Sequence, residues 1–257
     1  MPELSAVIIA RNEAAVIRRC LDSLRSVADE VVVVDSGSED ETMQICIEWG
    51  ANVVSRPFDD FVSQKNFALQ QARHDWVLSL DADEALSPEL AGAIRKEMQA
   101  PRADAFAVNR LNWYIDRWIR HGGWYPDRKV RLADRRKAAW QGEGVHEKLV
   151  STGTIARLPG DLLHYAYLTT EGHVRKSVNY AAFVAQLRAK AGKKAPAYKL
   201  VVNPAWAFFR MYVLKAGFLD GRAGFQLAKI SAFEVFMRYA FLREHARKAP
   251  AAPGSHP

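Results

Sequence analysis

Trp76-Val77-Leu78-Ser79-Leu80-Asp81-Ala82-Asp83-Glu84 is an apolar run that stops in three acids within four positions. The run has the composition of a buried strand. Its last residue and the turn that follows carry the carboxylates. In open α/β sheets, ligands bind outside the carboxyl ends of the strands. Two aspartates at i and i+2 supply oxygen ligands for a hard divalent cation, and such a cation can hold a diphosphate.

Working outward, residues 4–10 read as another buried strand, broken by Arg11-Asn12-Glu13. Residues 14–24 place Val16, Ile17, Cys20, Leu21 and Leu24 on one helix face. Residues 30–34 form a second strand ending at Asp35. Asp40 is positioned to cap the next helix, which Gly50 ends. Residues 51–55 read as a short strand, 61–72 as a helix, and Ser87-Pro88-Glu89 as the start of another. Strand and helix alternating at this spacing predict βαβ units and a parallel sheet. Three strand ends, at Arg11-Asn12-Glu13, Asp35-Ser36 and Asp81-Ala82-Asp83, then converge on one edge.

From Asp104 the pattern changes. Residues 105–109, 128–132, 148–151 and 155–158 read as short strands that extend the sheet in mixed orientation. Between the first two lies an expected loop holding Trp113, Tyr114, Trp118, Trp124 and Tyr125 among Arg and His. From Thr169 the chain reads helical over 170–191, 204–218 and 221–244. The expected division is 1–165 catalytic, 166–249 helical and membrane- or acceptor-associated, and 250–257 a disordered tail.

The composition, 49% apolar and 25% charged, is that of a globular protein. Cys20 and Cys46 are too few for a disulfide framework or a zinc site. The start shows no signal-peptide pattern, and no apolar run reaches the roughly 18–20 residues needed to span a bilayer. A cytoplasmic protein is expected. From His164 onward there are 15 Lys+Arg against 4 Asp+Glu, while the preceding residues hold 21 against 25. The basic second part, with large aromatics beside cations, predicts peripheral binding to an anionic membrane surface, which a lipid-linked acceptor at the inner face of the cytoplasmic membrane would make useful; a solvated helical cap is the plainer alternative. No recognised motif accompanies the charge, so nucleic acid is not an expected partner.

The stretches VIIARNEAAVIRRCLDSL (7–24), EVVVVDSGSEDET (30–42), SQKNFAL (63–69) and DWVLSLDADE (75–84) together closely resemble family 2 glycosyltransferases of the GT-A type. GEGVHEKL (142–149) and NPAWAFFRMYVLKAGFLDGRAGF (203–225) resemble the subgroup that glucosylates heptose in the lipopolysaccharide inner core. The resemblance implies a GT-A nucleotide-diphospho-sugar transferase fold: α/β, a mostly parallel mixed sheet flanked by helices, plus a C-terminal helical region. It implies an inverting transfer of a hexose, glucose foremost, from a UDP-sugar donor to a lipopolysaccharide core heptose; the alternative is the same donor chemistry with another acceptor, a capsule or exopolysaccharide intermediate or other glycan, or a protein. Asp35 would bind the uridine, Asp81 the ribose or a metal-bound water, and Asp83 the Mg²⁺ or Mn²⁺. Arg11, Asn12 and Glu13 would line the nucleotide pocket.

Such a reaction needs a base for the acceptor hydroxyl. Glu147 is the first candidate and Glu143 the reserve. The family pattern often has an acidic pair here, and this chain has His146-Glu147. His146 is a candidate third metal ligand beside Asp81 and Asp83, or a diphosphate contact. Arg131, with Arg128 and Lys129, is either a solvated strand edge or a diphosphate contact. Lys65 and Asn66 are either nucleotide contacts or part of a surface helix. Trp113 and Trp124 are candidate acceptor contacts, because sugar C–H faces stack on aromatic rings; core packing is the alternative. A nucleotidyltransferase would want a Gly-rich loop after the first strand, and Ala10-Arg11-Asn12-Glu13 has no glycine. A membrane-bound nucleotide-sugar binding module without turnover is the rival outside enzymes.

Overall fold

A computed structural model describes residues 2–142 and 147–248. They divide into two compact units, residues 2–112 with 126–142 and 147–166, and residues 113–125 with 167–248.

The first unit is built on strands β1 (Leu4–Ala10), β2 (Glu30–Asp35), β3 (Asn52–Ser55) and β4 (Trp76–Asp81), paired in parallel in the order β3-β2-β1-β4. Its helices are α1 (Ile17–Leu24), α2 (Thr42–Trp49), α3 (Phe61–Gln71) and α4 (Pro88–Glu97). Side chains alternate across each strand. Leu4, Ala6, Ile8 and Ala10 pack with Ile17, Leu21, Leu90 and Ile94 on one face. Val7, Val32 and Val34 pack with Ala68, Leu69 and Leu149 on the other. Burial on both faces is what makes these strands continuous apolar runs. The register sets Ala10 beside Asp35 and Ile9 beside Asp81, so the two strand-end acids flank Arg11 at one edge.

The expected caps form in part. Gly50 closes α2 at φ 97°, and Ser87 Oγ accepts from the Leu90 amide with Pro88 at the first helical position. Asp40 caps differently from expectation: its carboxylate accepts from the Thr42 and Ala14 amides, tying the β2 turn to the start of α1. Glu13 O accepts from the Val16 and Ile17 amides, so α1 proper begins three residues later than the apolar spacing predicts.

Beyond β4 the sheet turns antiparallel. It continues through β8 (Asp127–Asp134), β6 (Ala105–Tyr114), β11 (Ile155–Tyr167) and β5 (Glu84–Leu86). Three sequence expectations are corrected here. Residues 148–151 do not extend this sheet; as β10 (Lys148–Ser151) they pair with β9 (Ala138–Gln141) in a separate two-stranded ribbon. Residues 84–86 are a strand, not a turn, paired to β11. And β11 runs 13 residues, straight through Pro159-Gly160. Gly160 sits at φ 87°, where a Cβ would stand 2.4 Å from the Leu90 amide nitrogen; the glycine marks a close approach of α4, not a chain break.

In the second unit the expected aromatic loop is a hairpin. Trp113 and Tyr114 end β6, Ile115 turns at φ 58°, and β7 (Arg117–Ile119) pairs back. Tyr114, Ile119, Met211, Leu227 and Ala228 form its core. The helices are α5 (Thr170–Lys190), α6 (Lys199–Phe209) and α7 (Gly221–Lys248). Helix α6 starts before Pro204 and carries it inside; the structure then passes through a π-turn at 210–214 and a 3-10 turn at 217–220. The tail expected from residue 250 lies outside the described residues.

Candidate active site

The sheet edge carries a cavity of about 430 Å³ in the first unit. Arg11 and Glu13 from the β1 turn, Ser36 from the β2 turn, and Asp81 and Asp83 from the β4 end line it. Lys65, Glu147 and His164 complete the polar wall, and Phe58 and Phe61 supply an apolar one.

Each member is held by local chemistry. Asp35 is 1% exposed, and its carboxylate accepts from the Gly37 and Ser38 amides at 2.9 Å and from the Ser38 hydroxyl. That turn is an Asx cap which fixes Ser36 at the cavity wall. Asn12 adopts φ 56°, a conformation asparagine tolerates better than most residues. Its amide donates to Ser38 Oγ and its side-chain oxygen accepts from the Glu39 amide, binding the two turns together.

The acids after β4 do not share one environment. Asp81 is paired on both oxygens, Oδ1 with Lys65 Nζ at 2.8 Å and Oδ2 with Arg131 Nη2 at 2.9 Å. Burial pushes its pKa up; the two cations, Arg131 first, outweigh burial and hold the carboxyl far below the usual range. Lys65, 3% exposed, also reaches Glu147 Oε1 at 3.0 Å, so one ammonium bridges two carboxylates. Glu84 is fully buried. It accepts from the Asp81 amide and pairs with Arg131 at 2.6 Å and Arg110 at 3.6 Å.

Asp83 lies 3.3 Å from His164 Nε2. His164 Nδ1 lies 2.6 Å from Asn112 Oδ1, and with that oxygen accepting, Nδ1 carries the proton. In the neutral ring Nε2 then presents its lone pair toward the Asp83 carboxylate. Two acceptors facing each other need a proton or a cation between them. A histidine whose other ring nitrogen donates to an oxygen is also the usual arrangement of a metal-binding imidazole. The surrounding field is negative: after burial itself, Glu84, Asp83 and Asp81 push the Cys20 thiol well above its ordinary value. Asp83 and His164 therefore fit a divalent cation. Asp81, held by two cations, is a weaker candidate. Among the described residues no cluster of three such ligands forms.

Of the residues singled out in the sequence, Arg11, Glu13, Lys65, Asp81, Asp83 and Glu147 meet at this cavity. Lys65 is buried, not on a surface helix face. Arg131 is also buried at 3% exposure, its guanidinium turned to Asp81 and Glu84. Glu143 and His146 lie outside the described residues. Trp113 and Trp124 belong to the second unit, where Trp113 stacks edge-on with Trp118 and Trp124 packs against Tyr167 and His173. Reading the sequence missed Glu84 and His164. Glu84 stood in the opening acidic run; His164 lay 81 positions beyond Asp83, and only the pairing of β11 with β5 brings it back.

Glu84 gives a stability prediction. Glu84→Gln removes the charge that offsets a buried guanidinium, and breaking such a pair costs about 3–5 kcal/mol. Urea unfolding measures it; a loss under about 1 kcal/mol would mean that Asp81 alone neutralises Arg131.

The family model for Glycosyl transferase family 2 matches residues 5–151. An uncharacterized glycosyltransferase of Rickettsia felis is 33% identical over 265 residues, 97% of this chain and 92% of that one. The lipopolysaccharide core biosynthesis glycosyltransferase LpsC of Rhizobium meliloti is 30% identical over 258 residues, 92% of this chain and 93% of LpsC. A crystal structure of glucosyl-3-phosphoglycerate synthase from Mycobacterium tuberculosis, in complex with Mn²⁺, UDP and glucosyl-3-phosphoglycerate, is 26% identical over 44% of each chain with a TM-score of 0.36. The chain belongs to glycosyl transferase family 2, and it is a glycosyltransferase.

Proposed function

We propose that this enzyme transfers a hexose, glucose foremost, from a UDP-sugar to a heptose of the lipopolysaccharide inner core, with inversion at the anomeric carbon. The observation that carries the reading is the chain Asp81–Lys65–Glu147 along the wall of the sheet-edge cavity, with Asp83 and His164 beside it. The likeness to LpsC supports the acceptor class.

In this reading the Asp35-capped turn, Arg11 and Glu13 wall the nucleoside end of the donor. Asp83 and His164 would hold a divalent cation, and Mg²⁺ or Mn²⁺ bound there would supply positive charge to the departing diphosphate. Glu147 Oε1 is fixed by Lys65, while Oε2 has no hydrogen-bond partner among the described residues. Oε2 takes the proton of the acceptor hydroxyl. The acceptor oxygen then bonds to the anomeric carbon from the face opposite UDP, and the carbon–oxygen bond to the diphosphate breaks with its electron pair leaving on UDP. The test is UDP release from a panel of nucleotide sugars with purified core oligosaccharide, with and without a chelator. Release from UDP-glucose that needs both acceptor and divalent cation supports the reading; turnover of no nucleotide sugar at all removes it.

The second unit suits a peripheral place on the inner membrane face. No helix among the described residues is long and apolar enough to cross a membrane. Helix α6 buries none of its residues, and Val201, Trp206, Phe209, Leu214, Phe218 and Leu219 are exposed. Residues 193–219 hold five Lys or Arg and no Asp or Glu. Apolar side chains with cations and no acids match an anionic lipid surface. Val201→Asp with Leu219→Asp is expected to weaken flotation with phosphatidylglycerol vesicles by about tenfold or more. Unchanged flotation would remove the membrane from this account.

A further inference from the structure

A second cavity, of about 280 Å³, shares Lys65, Asp81 and Glu147 with the first. Six cations and two carboxylates line it among the described residues: Lys65, Arg110, Arg128, Lys129, Arg131 and Lys148 against Asp81 and Glu147. Four of the cations are committed. Lys65 and Arg131 serve Asp81, and Arg110 and Lys129 share Asp127 at 2.7 and 3.2 Å. Arg128 and Lys148 are exposed and make no ion pair among the described residues.

Three residues of the wall each carry a buried polar atom without a hydrogen-bond partner among the described residues: Arg131 Nε, Trp140 Nε1 and Glu147 Oε2. Orphaned buried donors are rare in folded proteins, because their desolvation goes uncompensated. Two donors beside surplus positive charge call for a group that only accepts. One acceptor, on the residue read as the base, calls for a hydroxyl. The Trp140 ring does not serve as a bare stacking surface, since Lys65 Nζ lies 4.3 Å from its centroid and the Arg131 guanidinium carbon 5.5 Å. Recognition here is polar and electrostatic.

We infer that this second cavity is the acceptor subsite and that it takes a sugar bearing an anionic group, a phosphate or a carboxylate. The inference rests on reading the first cavity as the donor pocket. The anionic group meets Arg128 and Lys148 and satisfies Arg131 Nε and Trp140 Nε1, while a neighbouring hydroxyl reaches Glu147 Oε2. Because Glu147 lines both cavities, the same carboxylate faces acceptor and donor.

The test is binding to the full chain in the presence of UDP, with mannose 6-phosphate, glucuronate and mannose as probes, followed by calorimetry or ligand NMR. At least one charged sugar is expected to bind about tenfold tighter than mannose, and the comparison of the two assigns phosphate or carboxylate. In Arg128→Ala/Lys148→Ala the preference is expected to fall within about twofold, with UDP affinity changed by less than about twofold. Equal binding of all three sugars overturns the inference. So does a variant that keeps the preference, or one that loses UDP affinity in parallel, which would give these cations to the donor. None of these readouts needs turnover, so a failed donor screen and a failed acceptor subsite remain separate results.

Discussion

Glu147→Gln is expected to lower kcat for sugar transfer by roughly 10²–10⁴-fold while UDP affinity stays within about twofold. The substitution keeps the shape of the side chain. Its amide oxygen still accepts from Lys65, whose ammonium keeps Asp81 as a charged partner at 2.8 Å. What disappears is the ability of Oε2 to accept a proton as the acceptor oxygen attacks. Ground-state contacts survive and a transition-state contact does not, so the loss belongs in kcat and not in donor binding. Single-turnover transfer from the saturated donor complex, beside a UDP titration, separates the two. A near-normal rate would take the base elsewhere, with Glu143 the next acid to replace. Equal losses in UDP affinity and rate would mean that Glu147 chiefly keeps the Lys65 bridge in place.

The contrast between what the sequence disclosed and what it hid follows from chain distance. Strand β1, the Asp35 turn and the acids after Leu80 were legible because each is local: an apolar run, a polar stop and a turn-forming residue within a few positions. Gly50 and Ser87 were legible for the same reason. The partners of these acids were not. Lys65 meets Glu147 across 82 positions and Arg131 meets Asp81 across 50, and no periodicity encodes such pairs. Lys65 read equally well as a surface residue, since a lone lysine on a helix is normally solvated; only the two carboxylates make its burial tolerable. Residues 148–151 carry strand composition, but composition does not choose a partner, and β9 took them from the main sheet. The strand read over 155–158 stops short of its full length because the close approach of α4 that Gly160 permits is invisible in one dimension.

Asp83→Ala is expected to slow sugar transfer by about 10³-fold, the equivalent of about 4 kcal/mol of transition-state charge stabilisation. The physical reason lies in the division of labour between the two aspartates. Asp81 is already paired with both Lys65 and Arg131, so its charge is spent within the protein. The Asp83 carboxylate lies 3.3 Å from Nε2 of His164, whose other ring nitrogen is taken by Asn112, and that pairing is a place for positive charge. Removing the carboxylate leaves the imidazole as a single ligand. Mn²⁺ titration in the presence of UDP reads this directly, without turnover: Asp83→Ala and His164→Ala should each weaken the ion by about tenfold or more, whereas removing a single contact of Asp81 should cost folding stability. Mn²⁺ affinity unchanged in both variants would place the cation elsewhere. Loss in Asp83→Ala alone would leave the aspartate as ligand and make His164 its hydrogen-bond partner.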